Sequence, residues 1–283
     1  MICNQRLRLF AGMVLALITI SCAAIPPPET GGPRASGPPY PVVFTEETQR
    51  TEASILAFNR LAQPGSGQAE VQLQPITAAI KSLPPVLNTP LYLPKVGVGV
   101  EMNEEETRES LRRFVDDWQV MIGANPAHLS LVERLDRPDG VKVARYEQRP
   151  FRFPIRGGYG MLQIEFLPNR ALRNLTSSCL PDAERLQAAL APIVPRLTAE
   201  EVIKTVRSNE IPATNSGQQI NFRVAPSDEV AAAEMVTYVV RSSGRTDALE
   251  LHVAWEIIVS ASPRRFVYVD AVDGKIIGSA VAL

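Results

Sequence analysis

With 283 residues, a hydrophobic content of 45% and a formal net charge of -1, the chain can bury a normal core in one large or two small domains and lacks the positive balance of a nucleic-acid binder. Arginines outnumber acids between Arg134 and Arg173, but they spread over several predicted strands, so a solvated sheet face is expected there. The 2 histidines, His128 and His252, are far apart, which excludes the His-Glu-x-x-His spacing that brings two imidazoles and a glutamate to one zinc ion.

Arg6 and Arg8 precede an apolar run from Leu9 to Ile20 that is too short to span a bilayer comfortably, so residues 1–22 read as a secretory signal. The run leads into Thr19-Ile20-Ser21-Cys22, which resembles the lipobox at which bacterial lipoprotein precursors are modified and cut. That resemblance implies a diacylglyceryl thioether on Cys22 and a place in the cell envelope. In a two-membrane cell this is the periplasmic face of the outer membrane, because Ala23 is not the aspartate of inner-membrane retention. In a cell with one membrane it is the outer surface. Each buried acyl methylene contributes about 0.8 kcal/mol, so several chains on one cysteine hold a soluble domain at a bilayer almost permanently. Once Cys3 leaves with the signal and Cys22 is acylated, Cys179 has no partner for an internal disulfide and is expected to fill space near a strand end.

Residues 23–41, AAIPPPETGGPRASGPPYP, carry too little apolar surface to fold and read as a flexible tether. Residues 42–100 follow as a helical and irregular region: a helix from Glu46 to Leu61, capped by Thr45 and closed by Pro64-Gly65-Ser66-Gly67, then a proline-interrupted stretch that supports no assignment.

Periodicity is clearer from residue 101. Asn103 and Glu106 form a capping box, and Leu111, Phe114, Val115, Trp118 and Ile122 share one helical stripe ending near Gly123. The period then falls to two in SLVERL, VKVARYEQ, GMLQIEFL and ALRNLTS, separated by Pro138-Asp139-Gly140, Pro154 to Gly160, and Pro168-Asn169. A short helix, LPDAERLQAAL, leads to Pro192 and Pro195. Thr198 and Glu201 then form a second capping box, with Leu197 and Val202 placed as a hydrophobic staple. Four more strand-like segments follow: INFRVAP, EMVTYVVRS, LELHVAWEIIVS and RFVYVDAVDGKIIG, the last turning at Asp273-Gly274 so that Ile276 onward pairs back. In the third, an apolar face alternates with a wetter one on which His252 and Glu250 make a surface pair. The expected architecture is α+β, with two similar helix-plus-antiparallel-sheet units in tandem at residues 101–192 and 193–283.

The second unit, with TAEEVIKTV, LHVAWEIIV around Trp255, and VYVDAVDGKIIG, resembles the PepSY domain; Tyr268, Val269, Asp270, Ala271, Gly274, Lys275 and Ile276 match its ending. The first, from Thr107 to Leu175, is similar to the fungalysin/thermolysin propeptide domain, through Arg145, Tyr146, Gln148, Pro154, Ile155, Gly157 and Gly158, with Ile155 in place of the usual valine. Their order is that of the propeptides of thermolysin-like zinc peptidases, which assist folding of the peptidase and block its cleft. In those precursors the peptidase follows the PepSY unit, whereas this sequence stops there. The resemblance thus implies a propeptide module kept as a protein in its own right, a non-catalytic inhibitor or folding assistant of a secreted thermolysin-like metallopeptidase in trans. The alternative is a structural or assembly lipoprotein that uses the same scaffold for other envelope proteins.

No residues ask for a cofactor, a metal or a small-molecule substrate. Gly65-Ser66-Gly67 is not a nucleophile elbow, and Glu104-Glu105-Glu106 opens a helix, where acids favour the dipole. Gly157-Gly158-Tyr159-Gly160 has no helix after it to complete a phosphate loop, and His128 belongs to a helix-to-strand loop. A free sheet edge that recruits an extended segment is the expected mode of binding.

Overall fold

In the computed structural model, which describes residues 39–62, 71–84, 89–99, 101–215 and 218–282, β1 (Val42–Thr45) leads into α1 (Thr48–Ala62). The signal, the Cys22 lipidation site, nearly all of the tether and the Pro64–Gly67 terminator lie outside the described residues. Thr45 does not cap the helix, because Val42–Thr45 pair with Ala248–Leu251 and the helix starts at Thr48. The proline-interrupted stretch holds a small antiparallel ladder, β2 (Gln72–Leu73) with β3 (Ile80–Ser82).

Next come α2 (Glu104–Asp117) and α3 (Gln119–Ile122). The α2 capping box is reciprocal: the Glu106 N–H donates to Asn103 Oδ1 and the Asn103 N–H donates to Glu106 Oε2, both at 2.9 Å. Such a cap stabilises the helix by about 1 kcal/mol. The expected single helix is interrupted at Trp118 (φ -119°, ψ 20°), and Gly123 (φ 78°) ends the second piece in the left-handed conformation.

A 3-10 turn at Pro126–His128 then opens a meander of β4 (Leu129–Asp136), β5 (Lys142–Gln148), β7 (Met161–Phe166) and β8 (Leu172–Ser177), with β6 (Ile155–Arg156) between β5 and β7 in sequence. The four-stranded sheet runs β4-β5-β7-β8, every neighbour antiparallel. Phe58 of α1 joins Leu111, Phe114, Ile122, Leu162 and Ile164 in its core. Fully burying each such side chain contributes about 1.5–3 kcal/mol.

Two helices follow, α4 (Ala183–Leu190) and α5 (Ala199–Ser208), the second with its own reciprocal box between Thr198 and Glu201. The hairpin of β9 (Ile211–Asn215) and β10 (Gln218–Phe222) comes next. INFRVAP, expected as a strand of the main sheet, supplies β10 and pairs with β9 alone. The chain finishes with β11 (Val230–Arg241), β12 (Ala248–Val259), β13 (Arg265–Asp270) and β14 (Ile276–Val281).

These last strands form the sheet β14-β13-β12-β11-β6, with β1 also on β12. Val202 and Val206 of α5 pack on Ile257, Val259, Val267 and Val269 of one face. The architecture is α+β. The second sheet draws strands from far outside residues 193–283: β6 joins in parallel at Thr237–Tyr238, so the loop expected to be a plain turn also spans the two sheets. On β12 the expected wet face is closed. His252, Ala254 and Glu256 are buried, because Tyr40 lies against His252, Tyr238 and Tyr268 stack over the sheet, ring centroids 4.2 Å apart, and Arg156 reaches across from β6. Among the described residues no helix is long and apolar enough to cross a membrane.

Candidate functional site

On β5, side-chain alternation separates the residues of the Arg-Tyr-x-Gln motif. Arg145 lies on the outer face, donating to Gln163 Oε1 at 2.9 Å and pairing with Glu133. Tyr146 turns inward, where burial pushes its hydroxyl up to about 12. Gln148 is 3% exposed, and its side-chain amide behaves like a strand neighbour: Nε2 donates to the Leu180 carbonyl and Oε1 accepts from the Leu180 N–H, both at 2.9 Å. It therefore fixes the exit from β8 without another strand.

The glycines of the same motif lie where β6 meets the second sheet. Gly157 (φ 93°) sits against the Val239 carbonyl, which leaves no room for a Cβ, whereas Gly158 (φ 83°) faces open space. Beside them Arg156 bridges Glu234 (2.7 Å) and the buried Glu256 (3.1 Å). Glu256 is hydrogen-bonded to Tyr268; burial first, and then that carboxylate, hold the Tyr268 hydroxyl above its usual range.

The ending of the second motif builds a denser cluster. β1 and β13 lie end to end along one edge of β12: β1 pairs with Ala248–Leu251 and β13 with Ala254–Val259. The gap between them is filled by a side chain. The Val253 N–H donates to the Tyr40 hydroxyl oxygen at 3.1 Å, and that hydroxyl donates to Asp270 Oδ2 at 2.7 Å. His252 Nδ1 also lies 2.7 Å from Oδ2; an ionised carboxylate only accepts, so this nitrogen carries the proton. Asp270 Oδ1 accepts from the N–H groups of Val272 (2.7 Å) and Asp273 (3.2 Å), closing the turn that Gly274 (φ 78°) completes. Burial would raise the Asp270 carboxyl, but hydrogen bonds from His252, Tyr40 and the two amides outweigh it and hold the group below its usual range. The same burial, followed by the Asp270 carboxylate, keeps Tyr40 protonated.

The expected neighbourhood of His252 and Glu250 is present, but the histidine is buried and not on the surface. It is 7% exposed, its Nε2 makes no hydrogen bond, and Glu250 Oε2 lies 3.5 Å away, while Ser242 holds Glu250 Oε1 at 2.6 Å. Trp255 projects from the other face and donates through Nε1 to the Leu197 carbonyl at 3.0 Å, tying α5 to the sheet. Tyr40 and Pro41, read from the sequence as tether, belong to the fold. Nothing in the local sequence marks Tyr40, because its partners are more than two hundred residues away, nor Arg156, Glu234 and Tyr238, whose partners lie on other strands.

Gln148, Gly157, Asp270 and Gly274 therefore support backbone, whereas Arg145 is partly exposed on the outer face. Cys179 is fully buried, and burial pushes its thiol up to about 12. His128 Nε2 lies 3.1 Å from Glu184 at the end of the 3-10 turn. Among the described residues no group of three or more His, Cys, Asp or Glu side chains is placed to hold a metal ion. Several concavities lie beside these residues, among them one of about 400 Å³ lined by Arg50, His128, Gln148 and Glu184. A cavity of about 440 Å³ lies between Gly157-Gly158 and the Tyr238–Tyr268 pair. A groove of about 630 Å³ runs between α2 and β4, floored by Val115, Leu129, Leu131 and Tyr146 and rimmed by Arg108 and Arg112. No protein-family model and no curated protein matches the chain.

Proposed function

We propose that this protein is a non-catalytic binding module of the bacterial cell envelope, lipid-anchored through Cys22, that engages a secreted thermolysin-like metallopeptidase in trans as an inhibitor or folding assistant. In this reading residues 101–192 and 193–283 are two similar units in tandem, each a capped helix followed by an antiparallel meander, as in the propeptides that the sequence resembles.

The observation that carries the reading is where the shared motif residues fall. Gln148 locks the end of the first meander, Gly157 joins it to the second sheet, and Asp270 with Gly274 closes the last turn. Residues that preserve a scaffold in this way suit a module that works by its surface.

The full acylated chain in detergent, added to thermolysin-like peptidases from the same cells, tests it. Stoichiometric slowing of peptide cleavage, or improved recovery of refolded peptidase, is the expected result. Absence of both, with affinity capture returning envelope assembly proteins and no peptidase, would replace this reading with that of an assembly lipoprotein.

A further inference from the structure

β4 is the outer strand of its sheet: β5 covers one side, and among the described residues no strand pairs with the other. Such an edge is a template for another strand, and proteins blunt it with bulges and charges. Here the bulge between Leu131 and Glu133 interrupts only the N-terminal half, and from Glu133 to Asp136 the register with β5 is regular.

The alternation of hydrogen bonds tells which backbone groups are free. The Gln148 N–H donates to Gly160 on the β7 side, and the Arg149 N–H donates to His128 on the β4 side. Successive residues of β5 thus turn to opposite neighbours, so Val143 and Arg145 bond β4 through their partners Leu135 and Glu133. Arg134 and Asp136 consequently turn their backbone N–H and C=O groups outward. Between them Leu135 is 45% exposed.

A second β4, antiparallel about a two-fold axis through Leu135, satisfies all of these features together. Arg134 of each copy falls opposite Asp136 of the other as a hydrogen-bonded pair, Glu133 falls opposite Arg137, and the two exposed leucines meet at the axis. Moving the axis by one residue sets Arg134 against Arg134 or Asp136 against Asp136, which is destabilising. Arg134 already meets Glu104 at 2.8 Å and Asp136 lies 3.5 Å from Lys142, so the new pairs extend surface ion pairs into networks, where such pairs have their greatest effect. We propose that this edge joins two copies of the chain, making one continuous sheet centred on Leu135. The proposal is independent of peptidase binding.

Disulfide trapping in the full chain tests it. Leu135→Cys should give a covalent dimer on mild oxidation, read on a non-reducing gel against the parent protein. Val132→Cys should not: at 42% exposure it is as accessible, but its mate would lie roughly 20 Å away along the strands. In the Leu135→Cys background, Arg134→Asp should cut trapping by about tenfold, since the symmetry makes each reversed charge count twice. Adding Asp136→Arg should restore it. No dimer at Leu135, equal trapping at Val132, trapping of a different protein, or no rescue by the double exchange would each overturn the proposal.

Discussion

The Tyr40 hydroxyl reaches Asp270 across 2.7 Å and 230 residues of sequence, binding the segment before β1 to the last residue of β13. Asp270 holds His252 and two turn amides as well, so the carboxylate should matter more than any one of its donors. Asp270→Ala is expected to lower stability by about 3–5 kcal/mol in urea unfolding, and Tyr40→Phe by about 1–2 kcal/mol through the orphaned Val253 N–H. A smaller loss for Asp270→Ala than for Tyr40→Phe would contradict this ranking.

The same group sets a pH dependence. Its folded-state pKa is depressed, so its contribution is fully present above the unfolded value of about 3.9 and is lost as the pH falls below that value and through the folded one. The stability difference between the parent and Asp270→Asn should be flat from pH 5 to 8, on the order of the carboxylate's whole contribution, and should shrink in stronger acid. Unfolding curves collected across that range check the sign.

Gly157 and Gly158 share a left-handed backbone but differ in surroundings. Gly158→Ala should therefore show only the conformational penalty, about 1–2 kcal/mol. Gly157→Ala adds a collision with the Val239 carbonyl and should lose about 3 kcal/mol or more, with faster hydrogen exchange where β6 meets β11. Equal losses at the two positions would place the whole effect in the backbone.

Gln148→Leu keeps the volume but leaves both Leu180 backbone groups without partners. Each orphaned buried group costs about 1–3 kcal/mol, so a loss of about 2–6 kcal/mol is expected, with exchange protection falling at Leu180 before it falls in β8.

The Cys179 thiol, at about 12 and fully buried, should be alkylated only through unfolding. Its labelling rate should follow the unfolded fraction in urea and rise between pH 7 and 9 only in step with the ionisation of the unfolded thiol, at about 8.5. Rapid labelling of the native chain at pH 8 would show a local opening at the end of β8.

What could be read from the sequence was whatever its own neighbourhood determines. Both capping boxes join residues three apart, and strands such as β5 and β7 carry their period within their own length. β1 and β6 carry none: four residues beside a proline-rich stretch and two residues inside a turn become strands only because β12 and β11 offer them edges. His252 misled for a related reason. Charges alternating with apolar residues signal a wet face, yet the cover over that face comes from Tyr40 at His252 and from Tyr238, Tyr268 and Arg156 further along, each on a different segment. The Trp118 interruption left no trace either, since the apolar stripe runs straight through it.

The end-to-end placement of β1 and β13 along β12 also sets the order in which the molecule can be completed. Val42 pairs with Leu251, so β1, the first of the described strands, has no neighbour until β12 has been made. Closing so long a loop is slow compared with forming the local hairpins of β4 to β8 or β12 to β14. The hydrogen bonds between β1 and β12 should thus be among the last to gain protection in pulse-labelled refolding, and until they form the first strand stays available to whatever the emerging chain meets.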